Sequence, residues 1–192
     1  MAKIGLKYPV AAPLKADGKT YDTGFVIARA IKASVTANNN DVKLYADDGI
    51  AESDKSFKDG TLSLNVDDMT QLIYAKMLGH KYTEASEDGN TPALVTASVN
   101  DISPFLGVGF YGEVIRDSKP SYMAKWLRKV KFAEPNDETD TRGETVAFQT
   151  PTIEGTVFQS DDGVWKEQAE FATEEEAVAW LNQKANIAAE AE

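Results

Sequence analysis

Apolar and polar side chains alternate with a period of two through much of this chain, and that pattern ties it to β-sheets more firmly than any other feature. Leu62, Leu64 and Val66 alternate with Thr61, Ser63 and Asn65, and Val42, Leu44 and Ala46 alternate with Lys43 and Tyr45. Ile27, Ile31, Ala33 and Val35 share one parity in a stretch rich in β-branched residues, interrupted by Arg29. Leu106, Val108, Phe110 and Val114 fall on one face of the next strand. In 122–132, Tyr122, Trp126, Val130 and Phe132 share a face, with Lys125, Lys129 and Lys131 opposite. Val146 and Phe148 mark a strand over 145–150, and another follows Pro151 over 152–159. Asp59-Gly60 reads as a hairpin turn between the 50–57 segment and the Leu62 strand, and Asp162-Gly163 as the turn leading into 164–171.

Two stretches change to a period near 3.6. Met69, Leu72, Ile73, Lys76 and Met77 fall on one helical face, with Asp68 placed as N-cap and Gly79 as the C′ residue. Thr173 and Glu176 form a capping-box pair ahead of the stripe Ala177, Trp180, Leu181, Lys184, Ile187. The first 25 residues show no period. Pro9, Pro13, Asp17-Gly18 and Gly24 interrupt them, and they read as an extended arm with scattered apolar anchors. The expected organisation is an arm over 1–25, a mainly β sandwich or barrel over 26–172, and a C-terminal helix and tail over 173–192. Within the β domain the sequence predicts a long inter-strand loop over 46–60 and a flanking helix over 68–79. Seven or eight short strands without βαβ alternation exclude a doubly wound parallel fold.

Composition narrows the function classes. With 192 residues and 42% hydrophobic content the chain can bury a core. It has no Cys and one His, His80, which removes thiolate chemistry, multi-histidine metal sites and any disulfide framework. The longest run without a charged residue is twelve, from Gly89 to Asn100, too short to span a bilayer; no signal-peptide leader is expected at the start. The net charge of −11 argues against specific nucleic-acid binding. Residues 116–133 hold six basic side chains and one acidic, whereas 134–192 hold fifteen acidic and three basic. That asymmetry suits either surfaces that meet, within or between chains, or ordinary solvated faces.

No motif carries chemistry. Gly107-Val-Gly-Phe-Tyr-Gly112 matches G-x-G-x-x-G, but β-branched residues follow it where a phosphate-binding helix would have to open. Its glycines read as strand glycines that permit a close approach. Asp47-Asp48, Asp137-Glu138-Thr139-Asp140 and Asp161-Asp162 lack the register of a calcium loop. His80 reads as a helix-end histidine, and the lysines of 116–131 as a solvated or subunit-facing strand face in preference to a single-strand-binding one. No catalytic, metal or cofactor residue is assigned, and no enzyme activity or cofactor is expected.

The segment Lys43-Leu-Tyr-Ala-Asp-Asp-Gly-Ile-Ala-Glu52, then Asp59-Gly-Thr-Leu-Ser-Leu64 and a short helix, resembles the major tail (tail tube) proteins of long-tailed, non-contractile bacteriophages. Gly107-Val-Gly-Phe-Tyr-Gly112, Tyr122-Met-Ala-Lys-Trp-Leu-Arg-Lys-Val-Lys-Phe132 and Thr141-Arg-Gly-Glu-Thr-Val-Ala-Phe-Gln-Thr-Pro-Thr-Ile-Glu-Gly155 extend the resemblance over about residues 1 to 172. It implies a structural virion protein assembled as hexameric rings stacked into a tube, through which the genome passes without specific binding. It also implies tape measure, tail terminator and tail tip proteins as partners, and assembly in the host cytoplasm with no membrane contact. On this reading Tyr8, Val10, Pro13 and Leu14 belong to a self-assembly arm. Asp47, Asp48, Glu52, Lys55 and Lys58 belong to a loop that bridges successive rings. The competing reading is a monomeric β-sandwich module that binds carbohydrate or protein.

Overall fold

The alternating segments pair into one large antiparallel sheet. The structure, a computed structural model, describes residues 2–46, 49–86, 91–116, 119–136 and 150–188. In chain order the elements are β1 (Ala2–Pro13), β2 (Phe25–Val26), β3 (Ala30–Asn39), β4 (Val42–Ala46), β5 (Gly49–Asp54), β6 (Phe57–Val66), α1 (Gln71–Leu78), β7 (Lys81–Thr83), β8 (Leu94–Thr96), β9 (Leu106–Arg116), β10 (Lys119–Phe132), β11 (Thr152–Phe158), β12 (Lys166–Phe171) and α2 (Glu174–Ala185). The main sheet runs β2-β1-β9-β10-β11-β6-β3, with β12 also pairing to β10. Two hairpins, β4–β5 and β7–β8, form separate two-stranded sheets. The chain is mainly β with two helices.

The two apolar faces of this sheet bury different things. The inner face gathers Leu62, Leu64 and Val66 of β6, Leu106, Val108 and Phe110 of β9, Leu127, Val130 and Phe132 of β10, Ile153 and Val157 of β11, and Met77 and Leu78 of α1. The other face is covered by α2, whose Ala177, Leu181 and Ala185 lie one turn apart against Val10, Ala12, Tyr111, Ala124 and Trp126. Burying a Leu or Trp fully in this way contributes about 1.5–3 kcal/mol each, so the helix is held by its apolar stripe more than by its length.

A bulge in β10 corrects the simple period-two reading of that strand. Its register with β9 shifts between Leu127 and Val130. Before the shift Ala124 and Trp126 face α2; after it Val130 and Phe132 face the inner core. Lys125 accordingly lines the inner side with Met123, not the face shared by Lys129 and Lys131. An extra residue in one strand reverses the parity of everything beyond it.

Four further expectations are corrected. The N-terminal segment is not a free arm: residues 2–13 form β1, paired along β9 from Ala2↔Ile115 to Pro13↔Leu106. Two bulges, with Gly5 at φ 71° and Tyr8 at φ 56°, hide its period from a sequence reading. Asp59-Gly60 is not a turn but lies inside β6, where Gly60 pairs with Ala37 on one side and Val157 on the other. The N-cap of α1 is Thr70 and not Asp68: the Thr70 hydroxyl accepts the Ile73 N–H at 3.4 Å, while Gly79 closes the helix at φ 76°. The buried residues of α1 are Ala75, Met77 and Leu78, and Leu72 and Lys76 face outward. The capping box at Thr173 and the turn at Asp162-Gly163, with Gly163 at φ 81°, are as the sequence indicates. The strand expected at 145–150 falls outside the described residues except for Thr150.

Candidate assembly surfaces

The residues assigned to an arm are built into the body. Val10 is fully buried beneath α2, and Tyr8 donates its hydroxyl to Asn182 Oδ1 of α2 at 2.9 Å. Pro13 ends β1, and the Leu14 N–H donates to the Phe105 carbonyl at 2.8 Å while Leu14 bridges to Tyr21. Tyr8 and Val10 tie the sheet to α2, and Pro13 and Leu14 fix the end of β1.

The expected bridging loop is largely a hairpin. β4 and β5 pair from Val42↔Asp54 to Ala46↔Gly49 and, among the described residues, join no other sheet. Glu52 lies in β5, opposite Leu44. Lys55 and Lys58 are exposed at the hairpin base, where Asp54 accepts from the Ser56 N–H at 2.8 Å. Asp47 and Asp48 lie outside the described residues.

The sheet ends on an edge that sequence patterning did not single out. β3 pairs with β6 along one side, and the strand order stops there. β3 continues from β2, which pairs with β1 only at Val10↔Val26 and Ala11↔Phe25. Beyond those pairs β3 forms no ladder with β1 among the described residues, and the fork between the two strands holds a cavity of about 310 Å³. Leu6, Ala33, Phe110, Val114 and Met123 floor it, and Lys32 and Lys125 stand on its lining. Lys125 Nζ lies 5.7 Å from the Phe110 ring centroid. A signal for this edge existed in the sequence: Thr36, Asn38 and Asn39 are polar on both parities, as an outer strand allows.

The G-x-G-x-x-G run proves to be a packing device. A Cβ at Gly107 would lie 2.3 Å from the Trp126 ring, and one at Gly109 would lie 2.6 Å from Trp126 and 2.7 Å from Leu181. The indole therefore lies against bare backbone, edge-on to Tyr21 at 5.2 Å, and its Nε1–H donates to the Tyr21 hydroxyl at 3.2 Å. The Tyr21 hydroxyl in turn donates to the Arg128 carbonyl at 2.8 Å.

Charge pairs join the basic strand to the acidic last third of the chain. Arg128 donates to Glu167 at 2.5 Å and to Asp162 at 2.6 Å, Lys129 reaches Asp161 at 3.4 Å, and Lys184 of α2 bonds Glu167. Burial alone would raise the Glu167 carboxyl, but hydrogen bonds from Lys184 and Arg128 outweigh it and hold it below its usual range. On the far side of α2, Glu174 accepts from Tyr111 and Lys7, which lowers its carboxyl. Burial and that same carboxylate push the Tyr111 phenol well up. Asp161 and Asp162, weighed as calcium ligands in the sequence, are engaged by these cations. Among the described residues no group of three or more His, Asp or Glu is placed to hold a metal ion, and no helix is long and apolar enough to cross a membrane. In comparisons with known proteins, no family model and no curated sequence matches this chain.

Proposed function

We propose that this chain is a structural subunit that polymerises through its sheet edges into the stacked rings of a phage-type tail tube. The observation that carries the reading is β3, ten residues long and, among the described residues, paired in the sheet only with β6. Long open edges are templates for another chain, and a soluble monomer ordinarily blunts them with prolines or several charges. β3 has no proline, and Lys32 is its one charged residue. The detached β4–β5 hairpin supports the same reading, since a two-stranded hairpin alone is marginal in water and gains from a neighbouring ring. The rings would be hexameric, and tape measure, terminator and tip proteins would be partners by the resemblance described above. At −11 per copy, acidic side chains facing a channel would let DNA slide without sticking.

Negative-stain electron microscopy of the concentrated protein tests the proposal. Sixfold rings or tubes are the expected result. A species that sediments as a monomer at every concentration, and stays monomeric with tail tip components added, would count against it. The β1–β3 cavity is the one observation that favours the alternative, a monomeric binding module.

A further inference from the structure

The single histidine of the chain stands between two carboxylates. His80 follows Gly79 at the end of α1, and its backbone N–H donates to the Ala75 carbonyl at 3.0 Å, which fixes where the ring points. The side chain is 8% exposed. Nδ1 lies 2.8 Å from Asp101 Oδ2 and Nε2 lies 3.0 Å from Glu134 Oε2. Tyr74, one turn back on α1, places its ring 5.6 Å from the imidazole and donates its hydroxyl to the other oxygen of Glu134. Three parts of the chain therefore present titratable groups to this ring: Tyr74 from α1, Asp101 from the segment between β8 and β9, and Glu134 from the exit of β10.

A neutral imidazole carries one N–H, so it can donate to only one of the two carboxylates; the other then faces a lone pair at hydrogen-bond distance. Both contacts are favourable only when the ring is protonated. The two carboxylates are not equivalent. Asp101 Oδ2 also accepts the Ser98 N–H at 2.8 Å, and those hydrogen bonds from His80 and Ser98 keep its carboxyl below the ordinary range. The Asp101 side chain is 20% exposed and that of Glu134 is 56% exposed, so water can replace the imidazole at Glu134 far more readily.

We propose that His80 is a proton-binding latch: with both ring nitrogens protonated it ties the exit of β10 to the end of α1, and loss of the Nε2 proton breaks the bond to Glu134, leaving the Tyr74 hydroxyl as its remaining tie to α1, while the Asp101 bond remains. The stretch affected begins at Ala133, whose N–H donates to the Glu154 carbonyl of β11 at 2.9 Å. The latch is a property of one subunit and stands whether or not the chain forms tubes.

Having one histidine makes the test direct. In ¹⁵N-labelled protein the two ring-nitrogen resonances belong to His80 alone and report its charge and tautomer. Spectra are recorded from about pH 5.5 to about pH 8, and the latch requires that Nε2, and not Nδ1, be the nitrogen that loses its proton within that range. Over the same step the Glu134 side-chain carboxyl carbon should shift. The Ala133 amide should exchange about threefold faster or more, after correction for the intrinsic effect of pH.

Glu134→Gln is the deciding variant. Its amide NH₂ can donate to the bare Nε2 of the neutral ring, so slow exchange at Ala133 should persist at both pH values. His80→Gln should remove the pH difference altogether, and if that variant folds poorly the exposed Glu134→Gln still decides. A ring that stays in one protonation state across this range would overturn the latch. So would an Ala133 exchange ratio that is the same in the parent and in Glu134→Gln.

Discussion

Gly109 shows how much one missing side chain can fix. It lies under Trp126 and Leu181, which pack between the sheet and α2, and both are fully buried. A methyl group there must displace one of them, and overpacking of this kind costs about 1–3 kcal/mol. Gly109→Ala should therefore lower the unfolding free energy measured in urea by that amount, with tryptophan emission shifted as the indole moves; an unchanged midpoint would show that the ring can step aside freely. Asp17 is a different kind of local device. Its carboxylate accepts from the Thr20 hydroxyl and from the Thr20 and Lys19 N–H groups, which lowers its pKa to about 2. A depressed carboxyl contributes its stabilisation in full above its unfolded value of 3.8 and loses it as pH falls through about 2. Carboxyl-carbon NMR should find Asp17 still ionised near pH 3, and Thr20→Ala should bring its titration back toward that of an ordinary aspartate.

Elements follow local rules only as far as packing permits. Helix α2 begins where the sequence says, because Thr173 and Glu176 satisfy each other's backbone N–H groups at 3.3 Å without help from the rest of the fold. Helix α1 begins two residues later than its sequence suggests, because the chain stays extended through Thr70, at ψ 150°, and only then turns. The two candidates separate by mutation: Thr70→Ala should cost about 1 kcal/mol, and Asp68→Ala should stay within about 0.5 kcal/mol of the parent in thermal melts. Strands β1 and β10 follow period-two alternation less closely than residues 61–66 of β6 because the register of each shifts at a bulge, and a bulge is a tertiary accommodation with no local signature beyond an occasional glycine.

At the scale of the molecule, the open edge of β3 is where the fold stops short of closing. Thr36→Lys with Asn38→Lys would place two charges along this edge at positions whose side chains are exposed and lie outside the core clusters. The double variant should melt within a few degrees of the parent, since exposed substitutions of this kind change stability little. On the proposed reading it should also fail to form rings or tubes. Retention of tubes would show that β3 is not the joint, and loss of the fold would show that the edge carries intramolecular stability.

The sequence alone determined the class of this protein. Period-two alternation, two helical stripes and a capping box are local quantities, each read within a dozen residues, and together they pointed to an antiparallel β fold with flanking helices. It was also enough to read Gly107 and Gly109 as strand glycines, because no helix could open after them. Tertiary structure decided the rest. It placed β1 inside the sheet, put Lys125 on the inner side through the β10 bulge, opened the fork between β1 and β3, and brought Tyr74, Asp101 and Glu134 around His80. Those outcomes depend on pairing register between segments up to about a hundred residues apart, and the free energy that selects a register comes from burying whole faces together, a quantity no short stretch of sequence contains.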